Sequence, residues 1–207
     1  MYGRDLDEEG AYRLGLAVRS ILGRDLAVGI DGRLSSPALG RGLIRGLVDS
    51  GALVRDIGMV PTPVLYFSVV EMKLDGGVMV TASHNPPEWN GFKLVGSGGE
   101  IIGAETGLAR VAEAMKNPAL RAEVPGQVER VDALREYLRV VGDLAQVRRR
   151  VKVVVDASNG VGSLTAPKLL EKAGCDVVVI NGEVDGRFPG HHPEPTPDTL
   201  TELANVV

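Results

Sequence analysis

A nucleophilic serine, a histidine, an asparagine and a nearby lysine sit together at the end of one apolar run. Val80-Thr81-Ala82-Ser83-His84-Asn85-Pro86-Pro87 is followed two residues later by Asn90-Gly91-Phe92-Lys93. A serine hydroxyl is a weak nucleophile and needs an adjacent base or a positioned phosphoryl donor. Two chemistries are open to Ser83. A hydrolase triad fits poorly, because the side chains of Ser83 and His84 point apart in extended backbone. No G-x-S-x-G elbow surrounds Ser83 either. Phosphoryl transfer asks mainly for donors and cations around the phosphate. His84, Asn85 and Lys93 supply them, and nearby glycines let backbone N–H groups approach. The structural alternative is a capping serine in a proline-rich turn. Trp89 either covers this loop or anchors it by packing, and packing is the expectation.

Three further groups compete for attention. Arg33, in Asp31-Gly32-Arg33, follows an apolar run and offers a two-pronged fork to a phosphate or carboxylate. The alternative is an arginine paired with Asp31 or bonded to a neighbouring carbonyl, and the two weigh evenly. Asp156 to Ser163 contains two glycines in partial G-x-G-x-x-G order, but Thr165 stands where the third belongs. A partial match of this kind is weak evidence for a dinucleotide site. His191, His192 and Glu194 invite a metal reading, yet adjacent histidines chelate one ion poorly and no third ligand shows metal spacing. A proline-rich loop with incidental histidines is the expectation there.

Functional loops need a rigid scaffold, and the pattern around these groups alternates strand and helix. Leu26–Ile30, Leu53–Ile57 and Gly77–Thr81 read as buried strands, and Phe92–Val95 as a fourth, edge strand. A helix starts at Ser35-Ser36-Pro37, with serine as cap and proline in its first turn, and runs to Gly51. A second opens at Pro61-Thr62-Pro63, a third covers Glu105–Met115, and a fourth runs from Asp132 to about Gln146. Asn117-Pro118 and Pro125-Gly126 break the chain between the last two. Arg148-Arg149-Arg150 reads as a solvated helix end. Val151–Val155 then reads as a buried strand, Leu164–Ala173 as a helix, and Val177–Ile180 as the next strand, a right-handed βαβ unit. Residues 181–197 form a loop, and a helix starts near Thr199. The fold expected is α/β: two consecutive α/β/α layered units with mixed, mostly parallel sheets, residues 1–130 and 131–207. In such sheets ligands bind at the C-terminal strand edge, where Arg33 and Ser83 both fall.

Bulk properties bound the function. The chain has 207 residues, 44% hydrophobic and 24% charged, ordinary globular values. A net charge of −4 gives no electrostatic case for nucleic acid or an anionic membrane. One cysteine, Cys175, cannot form an internal disulfide and reads as an inert packed thiol. The N-terminus lacks an apolar signal region, and no apolar run reaches membrane-spanning length. These features lead to the expectation of a cytoplasmic protein.

Thr81-Ala82-Ser83-His84-Asn85-Pro86 with Asn90-Gly91-Phe92-Lys93 resembles the phosphoserine loop of the α-D-phosphohexomutases, in their phosphomannomutase/phosphoglucomutase branch. Val28–Arg33, Gly58-Met-Val-Pro-Thr-Pro63, Val153–Gly160 and Glu183–Pro195 are similar to further family segments, in the same order. The resemblance implies interconversion of hexose 1-phosphate and hexose 6-phosphate, with mannose or glucose as the sugar, through phosphoserine and a hexose 1,6-bisphosphate intermediate. It implies Ser83, His84 and Lys93 as catalytic residues and Arg33 and Asn85 as phosphate-binding ones. It also implies Mg²⁺ held partly through the phosphate on Ser83. Phe92 leans toward this branch over phosphoglucosamine mutase. The family has four domains, and the resemblance covers domain one and most of domain two. No D-G-D-G-D-R metal loop occurs in these residues, and domains three and four have no counterpart. The chain by itself is therefore expected to be inactive; the alternative is a non-catalytic module that binds a phosphosugar or a partner protein.

Overall fold

The computed structural model describes residues 1–117, 121–144 and 146–207. The elements are α1 (Glu8–Leu22), β1 (Asp25–Ile30), α2 (Ser36–Asp49), β2 (Leu53–Met59), α3 (Thr62–Glu71), β3 (Gly76–Val80), β4 (Phe92–Gly96), β5 (Ile101–Ile102), α4 (Ala109–Ala114), β6 (Gln127–Arg130), α5 (Ala133–Leu144), β7 (Lys152–Asp156), α6 (Ala166–Lys172), β8 (Asp176–Ile180) and α7 (Thr201–Val206). The first sheet has the order β5-β4-β3-β1-β2-β6. Its β3, β1, β2 and β6 are mutually parallel, while β4 runs antiparallel to both its neighbours, β3 and β5. A second sheet pairs β7 and β8 in parallel.

The first unit has three layers because its central strands are apolar on both faces. Val28, Val78 and Val80 face α1, α2 and α4 through Leu14, Val18, Leu39, Leu43 and Val111. Ala27, Met79 and Val95 face α3 and α5 through Val64, Leu65, Val69 and Ala133. Helix α1 was not anticipated above, although Ala11, Leu14, Gly15 and Val18 bury one face at helical spacing. The Asp7 carboxylate caps it by accepting from the Gly10 N–H at 2.7 Å. Gly15 and Gly46 bring α1 and α2 together at backbone distance, since a methyl on either would strike the other helix's main chain.

Several expectations are corrected. Strand β4 lies inside the sheet, and the short β5 forms the edge. The third helix begins as a wide π-type turn at Ala104–Leu108 and is α-helical only from Ala109 to Ala114. Ser35 makes no capping bond to α2; its hydroxyl serves the site described below. The fourth helix is described over Ala133–Leu144, and the arginine triplet lies outside helix; the helix's expected last turn, like the expected Asn117-Pro118 break, falls partly outside the described residues. Strand β7 is only half-buried, since one neighbouring strand and two short helices cover it less than β1 is covered. Cys175 is likewise half-buried and free.

The expected boundary at residue 130 falls between β6, paired to β2, and α5. Helix α5 packs on the first unit, with Tyr137 edge-on to Phe67 at 5.4 Å between ring centres. It meets the second unit through Asp143 and Lys172, 2.7 Å apart. Among the described residues no helix is long and apolar enough to cross a membrane.

Candidate functional site

Parallel strands place their C-terminal ends on one edge, and the site is built there. Strand β1 ends at Asp31, β2 leads through Pro61 into α3, and β3 leads into the Ser83 loop. The loop turns back at Gly91, whose carbonyl accepts from the Thr81 N–H at 2.9 Å, and continues into β4. Ser83 is exposed and has a left-handed backbone, φ 57°. A non-glycine residue rarely occupies this region, and such outliers concentrate at functional sites. Its N–H donates to Thr81 Oγ1 at 3.0 Å, and among the described residues its hydroxyl makes no hydrogen bond.

The loop conformation is held from beneath by Arg33, which is buried. Its Nε donates to Asp31 Oδ2 at 3.2 Å. One terminal nitrogen donates to the carbonyls of Pro86 (2.6 Å) and Trp89 (3.1 Å). The other donates to the carbonyls of Ser83 (2.9 Å) and Asn85 (2.8 Å). A guanidinium has five N–H donors, and all five are engaged. Of the two readings weighed evenly above, the geometry matches the second, an arginine paired with Asp31 and bonded to neighbouring carbonyls. Burial lowers its pKa from the ordinary value against the opposing charge of Asp31, and an arginine stays protonated regardless. Asp31 also accepts from the Arg33 N–H and the Ser36 hydroxyl. Asn90, part of the Asn-Gly-Phe-Lys segment but given no role above, donates to the hydroxyls of Ser35 (2.8 Å) and Ser36 (2.9 Å). It thereby ties the loop to the start of α2.

The other expected residues sit around Ser83. Asn85 spends one amide N–H on the Ala82 carbonyl at 2.9 Å, bracing the turn. Lys93 lies on β4 opposite Met79 and has no hydrogen-bond or ion-pair partner among the described residues. With Ser83, Asn85 and Trp89 it lines a hollow of about 280 Å³. Trp89 is 41% exposed and lines the hollow, so the packed anchor expected above is not found. His84 is exposed, and its Nδ1 lies 3.3 Å from Glu194 of the second unit.

Ser83 and His84 also line a cleft of about 340 Å³ between the two units, facing Ser158, Gly160 and Phe188. The start of α3, at Thr62, opens on this cleft, and a helix N-terminus favours anions. The second unit repeats the strand-end device of the first. Asp156 ends β7 and accepts from the Ser158 N–H at 2.9 Å, as Asp31 accepts from Arg33. Asp156 also accepts from Asn181, and its Oδ2 lies 2.9 Å from His191 Nε2. Burial raises the Asp156 pKa, but these bonds more than offset it and hold the carboxyl below its ordinary range. His191 is thus a structural partner of β7 and no incidental loop residue; its Nδ1 meets the His192 carbonyl at 2.8 Å. Asn159, buried beside it, holds the returning strap through the Glu183 carbonyl and the Gly190 N–H. The glycines at 160 and 162 belong to a short turn ahead of α6.

Among the described residues no group of three His, Cys, Asp or Glu side chains converges to hold a metal. The residues present do not by themselves make the Mg²⁺ site that the resemblance implies.

A loop that presents a serine to an inter-unit cleft at the C-terminal edge of a parallel sheet defines an α/β scaffold with its site at the strand ends. The chain belongs to the phosphoglucomutase/phosphomannomutase family: residues 1–121 match its alpha/beta/alpha domain I and residues 131–207 its alpha/beta/alpha domain II. A phosphomannomutase/phosphoglucomutase of Pseudomonas aeruginosa is 45% identical over 206 residues, covering 97% of this chain and 44% of that protein. A phosphoglucomutase of Neisseria gonorrhoeae is 38% identical, covering 97% and 45%. The crystal structure of a phosphoglucomutase/phosphomannomutase family protein from Burkholderia thailandensis superposes with a TM-score of 0.89 at 35% identity, covering 99% of this chain and 47% of that one. The chain therefore spans less than half the length of these relatives.

Proposed function

We propose that Ser83 is the phosphoryl carrier of a phosphohexomutase, and that the two units form the part of it that presents this carrier to a hexose phosphate. The observation that carries the reading is the exposed, unbonded Ser83 hydroxyl, held on a left-handed backbone between the inter-unit cleft and the Lys93 hollow. The relatives' names supply the sugar class, mannose or glucose phosphates. In transfer, a sugar hydroxyl attacks phosphorus and the bond from phosphorus to Ser83 Oγ breaks. Lys93 gives a proton to the departing Ser83 oxygen and takes up the one the sugar hydroxyl loses, so protons balance. Its positive charge and the start of α3 offset charge on the phosphoryl oxygens. His84 and Asn85 border the phosphoserine, the first as a donor at the cleft and the second as a brace of the turn. The reverse step returns the other phosphate of the hexose 1,6-bisphosphate to Ser83.

The test incubates the chain with glucose 1,6-bisphosphate, with and without magnesium, and reads intact mass and phosphopeptides. One phosphoryl group on the Ser83 peptide, absent from Ser83→Ala, is the expected result. A label carried on another residue, or retained in Ser83→Ala, overturns the reading.

A further inference from the structure

We propose that Arg33 is the positioning residue of the Ser83 loop, and that Phe188 of the second unit seals it in place. Four loop carbonyls, of Ser83, Asn85, Pro86 and Trp89, converge on one buried guanidinium. Carbonyls turned inward in this way need a donor that no water can replace in a closed interior. The fifth N–H anchors the fork to Asp31 at the end of β1, so loop position is referred to the central strand of the sheet. The left-handed Ser83 backbone is the consequence: its carbonyl points down to Arg33 while its hydroxyl is left facing out.

The outer face of the guanidinium is covered by the Phe188 ring, 5.2 Å from the Arg33 carbon to the ring centre, within range of a cation–π contact. Phe188 itself is held with a φ of 53°, a strained setting for a bulky side chain. The strap that carries it touches the first unit at backbone distance: a methyl on Gly186 would lie 2.5 Å from the Gly32 carbonyl oxygen. The arrangement links the seat of the second unit to the order of the serine loop. A lysine cannot replace Arg33, because an ammonium has three donors on one point and no planar fork.

The catalytic consequence rests on Ser83 as phosphoryl carrier; the loop geometry stands without it. The experiment is hydrogen exchange on the peptide spanning 81–93, with peptides from β1 and β3 as internal references. It compares wild type, Arg33→Ala, Arg33→Lys and Phe188→Ala, with phosphorylation of Ser83 by glucose 1,6-bisphosphate read in parallel. Arg33→Ala and Arg33→Lys are expected to speed exchange of 81–93 on the order of tenfold or more while β1 and β3 hold. Millimolar guanidinium restores protection to Arg33→Ala alone, since only there is the fork-shaped space vacated. Phe188→Ala speeds exchange of the same peptide to a smaller degree. Unchanged exchange of 81–93 in Phe188→Ala, or an Arg33→Ala loop that guanidinium does not re-order, overturns the proposal. If Arg33→Ala fails to fold, Phe188→Ala decides. Should the phosphoryl group sit on a residue other than Ser83, the carrier reading fails while the exchange data still judge the clamp.

Discussion

At the scale of single residues, His191 shows how a polar group is used for structure. Both ring nitrogens face acceptors, the His192 carbonyl and the Asp156 carboxylate, an arrangement that favours the protonated ring. Burial lowers the His191 pKa, but these two bonds, with Glu202 nearby, leave it raised above its ordinary 6.5. A raised pKa in the fold contributes stability that is fully present below about 6.5 and is lost as pH rises through the higher folded value. Asp156 has the opposite sign: its contribution is present above its ordinary 3.8 and fades as pH falls through the depressed value. The urea midpoint of the wild-type chain should fall between about pH 6 and about pH 9, while that of His191→Gln stays flat over the same range. A wild-type midpoint that does not move would show that His191 is neutral in the fold.

At the scale of elements, close backbone approach decides where the second unit sits. The strap from Glu183 to Pro189 lies on the Asp31–Leu34 turn with Gly186 against main-chain atoms of Gly32, Arg33 and Leu34. Gly186→Ala has no flexible side chain to push aside, so the strap must lift. The change should cost about 1–3 kcal/mol in chemical denaturation, the usual range for overpacking. Trp89, the only tryptophan, lies in the loop clamped by Arg33 and reports the shift as altered emission. Loss of stability with unchanged Trp89 emission would place the damage within the second unit and away from the contact with the first.

At the scale of the whole molecule, the two units differ in how well they are closed. In β1 and β3 almost every residue is buried, under helices on both faces. In β7 and β8 none is fully buried, and Val179 is 40% exposed. A two-stranded sheet of this kind has little independent stability. Native-state hydrogen exchange should find β1 and β3 opening only with global unfolding, and β7 and β8 opening locally at lower free energy. Equal protection of the two sheets would mean that the inter-unit contacts of α5, Phe188 and Glu194 lock them into one cooperative body.

The strands and most helices were legible because burial imposes a period on the sequence. Gly76–Val80 is a short apolar run bounded by turn signals, and α2 shows its three-and-four spacing under a proline start. Ser83 and Lys93 were legible as a cluster because one tight loop joins β3 to β4, so proximity in sequence became proximity in space. Helix α1 shows the same periodicity and was passed over. Edge β5 is too short to carry a period. For Arg33 the pattern left a phosphate fork and a partner of Asp31 or a carbonyl evenly weighed and could not choose between them. Its four carbonyl partners lie some fifty residues away and are main-chain atoms, which every residue type supplies equally. The same holds for Phe188 over Arg33, His191 on Asp156 and Glu194 beside His84. Side-chain type sets what chemistry a residue can do, and local pattern sets which element it joins. Only the packing of one unit on the other decides which donor meets which acceptor, because that depends on where distant backbone arrives.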